Sequence, residues 1–200
     1  VELSVADEWI ISRLQRAELQ ITEAFNSYRF DQAAQAIYEF VWNEYCDWYL
    51  ELSKPVLNGD SSPAAKAGTR RTLLRVLEAM LRLMHPIMPY ISEEIWQRVK
   101  VLVGKTGESI MLEAYPVADN SKINLEAEAD VEWLKSVIAG IRNIRGEMNI
   151  SPSKQLPVLF HNSSATDQQR LQRYSSQLRF LARLESLDVL AIDADLPPAA

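Results

Sequence analysis

The sequence predicts a mainly α protein: an antiparallel helical bundle over residues 1–150, then a small α/β appendage over residues 151–200. Three observations predict this. Apolar side chains recur at steps of three and four through long stretches before residue 150, which is the spacing of one helix face. After Ser151-Pro152 the texture changes to two short apolar runs around a helical stretch. The chain is 48% apolar and 24% charged, an ordinary globular balance with enough apolar surface for one sizeable core.

The first helix is expected over Ala6 to Tyr28, with Ile10, Leu14, Ala17, Ile21 and Tyr28 on one face and Asp7 and Glu8 near its positive end. A second is expected after Asp31 as N-cap, with Ile37, Val41, Tyr45, Trp48 and Leu52 at helical spacing. Phe40, Trp42 and Tyr49 widen its apolar surface, which places it in the middle of a bundle. Lys54-Pro55 is expected to end it, because proline disfavours a helical residue before it. A third starts with Ser62 as cap and Pro63 in the first turn, and runs to Met84. His85-Pro86 and Pro89 break it. A fourth starts near Ser92, and Gly104 is a C-terminal cap. Ile110 to Pro116 reads as short and extended. A fifth helix spans Glu126 to Met148, with acids at its start and Arg142 and Arg145 near its end. Strand, helix and strand follow at Leu156–Phe160, 166–183 and 187–192, and a crossover of that kind makes the strands parallel neighbours.

The net charge is −6, which by itself argues against a nucleic-acid binder. Its distribution softens that objection. Lys66, Arg70, Arg71, Arg75 and Arg82 face only Glu78 between them, and Gln168 to Arg183 holds four arginines and no acid. Screening limits a charge's reach to ~8–10 Å, so a partner feels the local field rather than the total. The one cysteine, Cys46, excludes an internal disulfide and a cysteine-based zinc site. No apolar run approaches the ~20 residues of a membrane helix, so no membrane partner is expected. Val1 in place of an initiator Met suggests a piece of a longer protein, and Asp195 to Ala200 reads as a frayed or truncated end.

No catalytic constellation is legible. The six glycines are scattered and build no phosphate loop, and the two histidines, His85 and His161, have no metal-ligand spacing. Cys46 with His85 is a conceivable nucleophile and base, but Cys46 lies in an aromatic-rich helix where a thiol acts as a small apolar group. Glu93 and Glu94 are adjacent on a helix and diverge by about 100°, so they form no acid/base couple by themselves.

Three stretches carry a resemblance. Asp7-Glu-Trp-Ile-Ile-Ser-Arg-Leu14 is followed by Tyr28-Arg-Phe30. The second runs from Phe40-Val-Trp-Asn-Glu-Tyr-Cys-Asp-Trp-Tyr to Lys54-Pro55, and the third from Leu81 through His-Pro-Ile-Met-Pro to Trp96. In order and separation they resemble the anticodon-binding domain of class I aminoacyl-tRNA synthetases of the valine, isoleucine and leucine group. A fourth, Ile141-Arg-Asn-Ile-Arg-Gly-Glu-Met-Asn-Ile-Ser-Pro-Ser-Lys154, narrows the resemblance to the valine branch.

The resemblance implies a helical bundle of the class I synthetase type, cut before the family's coiled-coil arm. It implies a cytoplasmic, monomeric parent ligase that uses valine, ATP, magnesium and tRNA, with its catalytic domain outside this chain. No cofactor is expected here. The expected partners are the anticodon stem-loop of a valine tRNA and the parent's catalytic domain. By that resemblance Arg13 faces the anticodon, and Trp9 and Arg16 lie one turn to either side of it. Phe30 stands at a corner where a ring can stack on a base, Lys54 lies at the far end of the second helix, and Glu94 can accept from a base edge. Arg70, Arg71, Arg75, Arg142 and Arg145 are candidates for the tRNA backbone or for domain docking. Each has a plainer reading. Trp9 is equally at home in the core, Phe30 serves as a hydrophobic staple, and the arginines serve as solvated surface. A helical docking scaffold, or the equivalent isoleucine or leucine domain, is the alternative.

Overall fold

The computed structural model describes residues 2–190. They form a helical bundle and a small α/β element, in two compact units that divide between Glu128 and Ala129. Asp195 to Ala200, and the end of the expected second strand at Ile192, lie outside the described residues.

The first helix, α1 (Val5–Asn26), opens on a capping box: Ser4 Oγ accepts from the Asp7 amide and Asp7 Oδ2 accepts from the Ser4 amide. Its face of Trp9, Ile10, Ala17, Ile21 and Ala24 is buried. A long rod returns alongside it as α2 (Phe30–Tyr38), a π-helical stretch (Glu39–Tyr49) and α3 (Leu50–Asn58). In the wide stretch the Leu50 amide reaches back five residues to the Tyr45 carbonyl. This turns Phe40, Tyr45 and Tyr49 inward together.

Two expectations are corrected here. Asp31 is not the N-cap. The helix starts at Phe30, and Asp31 instead grips the Arg29 guanidinium at 3.0 and 2.8 Å. Pro55 does not end the rod. A proline removes one backbone donor, and the burial of Leu52 and Val56 on either side of it outweighs that loss. The stop comes at Gly59, where a Cβ would sit 2.5 Å from the Pro55 carbonyl oxygen.

The helix α4 (Pro63–Met84) is capped by Ser62, whose Oγ accepts from the Ala65 amide. It completes an up-down-up bundle. Thr69 donates to Asp7 near the start of α1, and the Tyr45 hydroxyl of the rod donates to the Leu73 carbonyl. The next helix, α5 (Pro89–Val99), starts at Pro89 rather than Ser92, because Pro suits a first turn that needs no amide donor. Ser92 lies inside, donating to the Met88 carbonyl at 2.7 Å. Trp96 on α5 is fully buried with Leu81 and Ile110, and its indole donates to Glu78. Gly104 closes the α5 region in the left-handed conformation, as expected. Residues 110–112 form a 3-10 turn where an extended run was expected, since Ser109 Oγ caps the Met111 amide.

The helix α6 (Leu125–Glu147) begins in the first unit and runs through the division. In the second unit its Val131, Leu134 and Ile138 are buried. The strand β1 (Leu156–Phe160) pairs in parallel with β2 (Leu184–Val189), joined through α7 (Ala165–Arg173) and α8 (Ser175–Ala182). The single helix expected here breaks at Tyr174, whose buried hydroxyl donates to Asp130. Left-handed Arg183 then delivers the chain into β2 three residues earlier than expected.

Candidate nucleic-acid interface

The corner between α1 and α2 exposes two rings. The Tyr28 amide donates to the Phe25 carbonyl at 3.1 Å and the Arg29 amide to the Ala24 carbonyl at 2.8 Å. That bond pair defines a Schellman-type ending, which normally places glycine at its left-handed position. Here the position is Tyr28, with φ of 57°. The conformation throws the side chain outward, and it is 80% exposed. Phe30 is 57% exposed and meets Tyr28 edge to face at a centroid distance of 6.4 Å. Beneath it lies Phe25 at 6.0 Å, and Phe25 meets Tyr115 at 6.2 Å. The Tyr115 hydroxyl donates to the Leu83 carbonyl at 3.1 Å, and burial pushes its ionisation up to about 12, so it remains a donor at neutral pH. This chain of contacts ties the corner to the end of α4. Just beyond that end Ile87, Met88, Ile91 and the 91% exposed Tyr90 are also exposed. The Arg29–Asp31 pair braces the corner, and the Arg29 hydrogen bonds hold the Asp31 carboxyl below its usual range.

The residues singled out from sequence do not converge on one spot. Trp9 is 2% exposed and offers no ring face to a base, so its expected place at an RNA surface is corrected to core packing. Arg13 Nε and Nη2 both donate to Glu44, at 2.9 and 2.6 Å. Arg16 Nε donates to Glu128 at 2.6 Å, and that bond raises its pKa. Against the upward push of its own burial, Glu128 is held below its usual range by Arg16 and Ser12. Lys54 pairs with Glu51, and Glu94 with Arg98 at 2.6 Å. At ~1.5 Å of rise per residue, Arg13 lies roughly 18 Å along α1 from Phe25, and Lys54 roughly 36 Å along the rod from Phe30.

Arg70, Arg71 and Arg75 are exposed on α4 and have no acidic partner among the described residues. Arg142 is exposed on α6. Arg145 corrects the expectation of a tRNA or docking contact. It is buried, and its guanidinium donates to the carbonyls of Lys154, Ala182 and Arg183 at 2.8–2.9 Å. The left-handed turn at Asn149 reverses the chain, and Arg145 bonds the carbonyl of Lys154 just beyond it.

Sequence reading missed Tyr28 as a member of the exposed aromatic corner. The helical spacing puts Tyr28 at the last position of one face of α1. The signal that distinguishes it is the Tyr-Arg-Phe run placed just where the helical spacing stops. Cys46 is half-buried and burial pushes its thiol pKa up, which fits a packing role. Among the described residues no cluster of His, Cys, Asp and Glu forms a metal site, and no helix is long and apolar enough to cross a membrane.

The helical bundle carries unburied rings at the corner between α1 and α2. Residues 7–160 match the family described as the anticodon-binding domain of tRNA ligase, and the chain belongs to that family. It is similar to a valine–tRNA ligase of Acinetobacter baylyi, with 50% identity over 193 residues. That match takes in 96% of this chain and 20% of the relative, so the chain spans about a fifth of the relative's length.

Proposed function

We propose that the chain binds the anticodon stem-loop of a valine tRNA, as the anticodon-binding part of a cytoplasmic, monomeric valine–tRNA ligase. The observation that carries this reading is the exposed, edge-to-face pair of Tyr28 and Phe30 on a strained corner. RNA loops are read by unstacking bases against aromatic planes, and each base–ring stack contributes ~1–3 kcal/mol. A bulky residue in the left-handed region costs about 1–2 kcal/mol, and such strain gathers at functional sites. The guanidinium of Arg70, exposed on α4 and with no acidic partner among the described residues, suits a phosphate of the stem further along the bundle. Arg13 and Arg16 take part by exchanging Glu44 and Glu128 for RNA. The family match and the similarity to a valine–tRNA ligase support the choice of tRNA and amino acid. Activation of valine with ATP and magnesium would belong to the rest of such an enzyme.

The test is to capture tRNA from a total pool on the immobilised chain and sequence what is retained. Enrichment of valine isoacceptors is the expected result. Retention of isoleucine or leucine isoacceptors in their place, or of all tRNAs alike, contradicts it.

A further inference from the structure

An open groove of about 910 Å³ runs between α1, α4 and residues 121–125. Its lining is mixed in a specific way. Ile11, Leu14, Val76 and Ile123 line it as apolar walls, with Leu3 and Leu125 exposed at its lips. Arg71 and Arg75 stand on the α4 side and Lys122 on the opposite side. Lys122 reaches Asp119 at 3.2 Å, whereas neither arginine has an acidic partner among the described residues. Glu8 also lines the groove and already accepts from Asn124.

We propose that this groove docks an acidic amphipathic protein segment, with carboxylates interleaved among leucine-like side chains. The rim supplies the complementary charge. Planar guanidinia bind carboxylates through paired N–H donors, and Arg71 and Arg75 are one helical turn apart, the spacing of carboxylates on a facing helix or strand. The apolar lining is aliphatic and holds no aromatic ring for a base to stack on, which favours a protein segment over RNA. Apolar anchors in a groove with charged rims are a recurring mode of helix recognition. The groove lies along the first half of α1, away from the Tyr28–Phe30 corner, so it does not depend on the anticodon reading.

The experiment is fluorescence polarisation with a short labelled peptide built from Leu, Glu and Ala. A peptide with Lys in place of Glu and an oligouridylate serve as comparison probes. The acidic peptide should bind saturably, and Arg71→Glu with Arg75→Glu should weaken it at least ~10-fold. Leu125→Ser should weaken it several-fold, and Phe30→Ala should leave it unchanged. Lys122→Glu, at an exposed side chain, replaces the double variant if that one does not fold. No saturable binding, equal binding of the lysine peptide, or full affinity in Leu125→Ser overturns the proposal. So does displacement of the peptide by oligouridylate, which would make the groove a nucleic-acid surface.

Discussion

Tyr28 and Phe30 stand edge to face across a corner whose backbone adopts a conformation that glycine would adopt freely. Replacing Tyr28 should therefore separate stability from binding. Tyr28→Gly removes left-handed strain and should raise unfolding free energy by up to ~1 kcal/mol in urea denaturation. It also deletes a ring, and RNA affinity should fall. A destabilised Tyr28→Gly would mean that the ring packs usefully onto Phe30 and that the corner is built for folding rather than for contact.

Arg13 makes a different prediction, because its guanidinium is tied to a largely buried Glu44. Arg13→Ala should cost ~1–2 kcal/mol of stability, since charged hydrogen bonds to a half-buried acid are lost. A double-mutant cycle with Glu44→Gln should return most of that cost as coupling. Additive losses would show that the pair is incidental to stability.

Arg145 is the sharpest structural dependence in the second unit. Arg145→Met strips a buried donor from the carbonyls of Lys154, Ala182 and Arg183 and should cost about 2–4 kcal/mol. Arg145→Lys should recover only part, because an ammonium cannot reproduce the planar fork. Circular dichroism melts check both. Unchanged melting with weakened RNA binding would restore the contact role expected from sequence.

Glu18 sets a pH dependence. It is 5% exposed, its Oε2 accepts no hydrogen bond from the protein, and burial raises its pKa to about 7 against the pull of Arg82 and Lys122. The unfolded carboxyl titrates near ~4.3. The folded state therefore holds a proton that the unfolded state gives up between these values. The associated stability is fully present below the unfolded pKa and is lost as pH rises through about 7. The loss is on the order of 3 kcal/mol. Glu18→Gln should flatten this slope in denaturation series run from about pH 5 to about pH 8. An unchanged slope would place the titration elsewhere.

Much of the fold was legible because helical periodicity and capping chemistry are local. Ser62 with Pro63, Gly104, and the strand at Leu156–Phe160 fell where the residues put them. The misses share a tertiary cause. The rod runs past Pro55 because packing of Leu52 and Val56 overrides a local breaker, and the last helix breaks at Tyr174 because a buried Asp130 captures its hydroxyl. The candidate site was less legible. Sequence shows that Arg13 and Arg145 are cations, but not that one meets Glu44 and the other meets carbonyls. Phe30 is an exposed ring, whereas Trp9 on α1 lies in the core, a difference that the residue types alone do not reveal.

The most direct test titrates the chain with a valine anticodon stem-loop and with the same hairpin carrying an altered anticodon, each against the native protein and Phe30→Ala. The account predicts tighter binding of the matched hairpin, weakening with salt. It also predicts that Phe30→Ala loses ~1–3 kcal/mol of affinity for the matched hairpin. Equal affinity for both hairpins, with Phe30→Ala indistinguishable from the native chain, would contradict it.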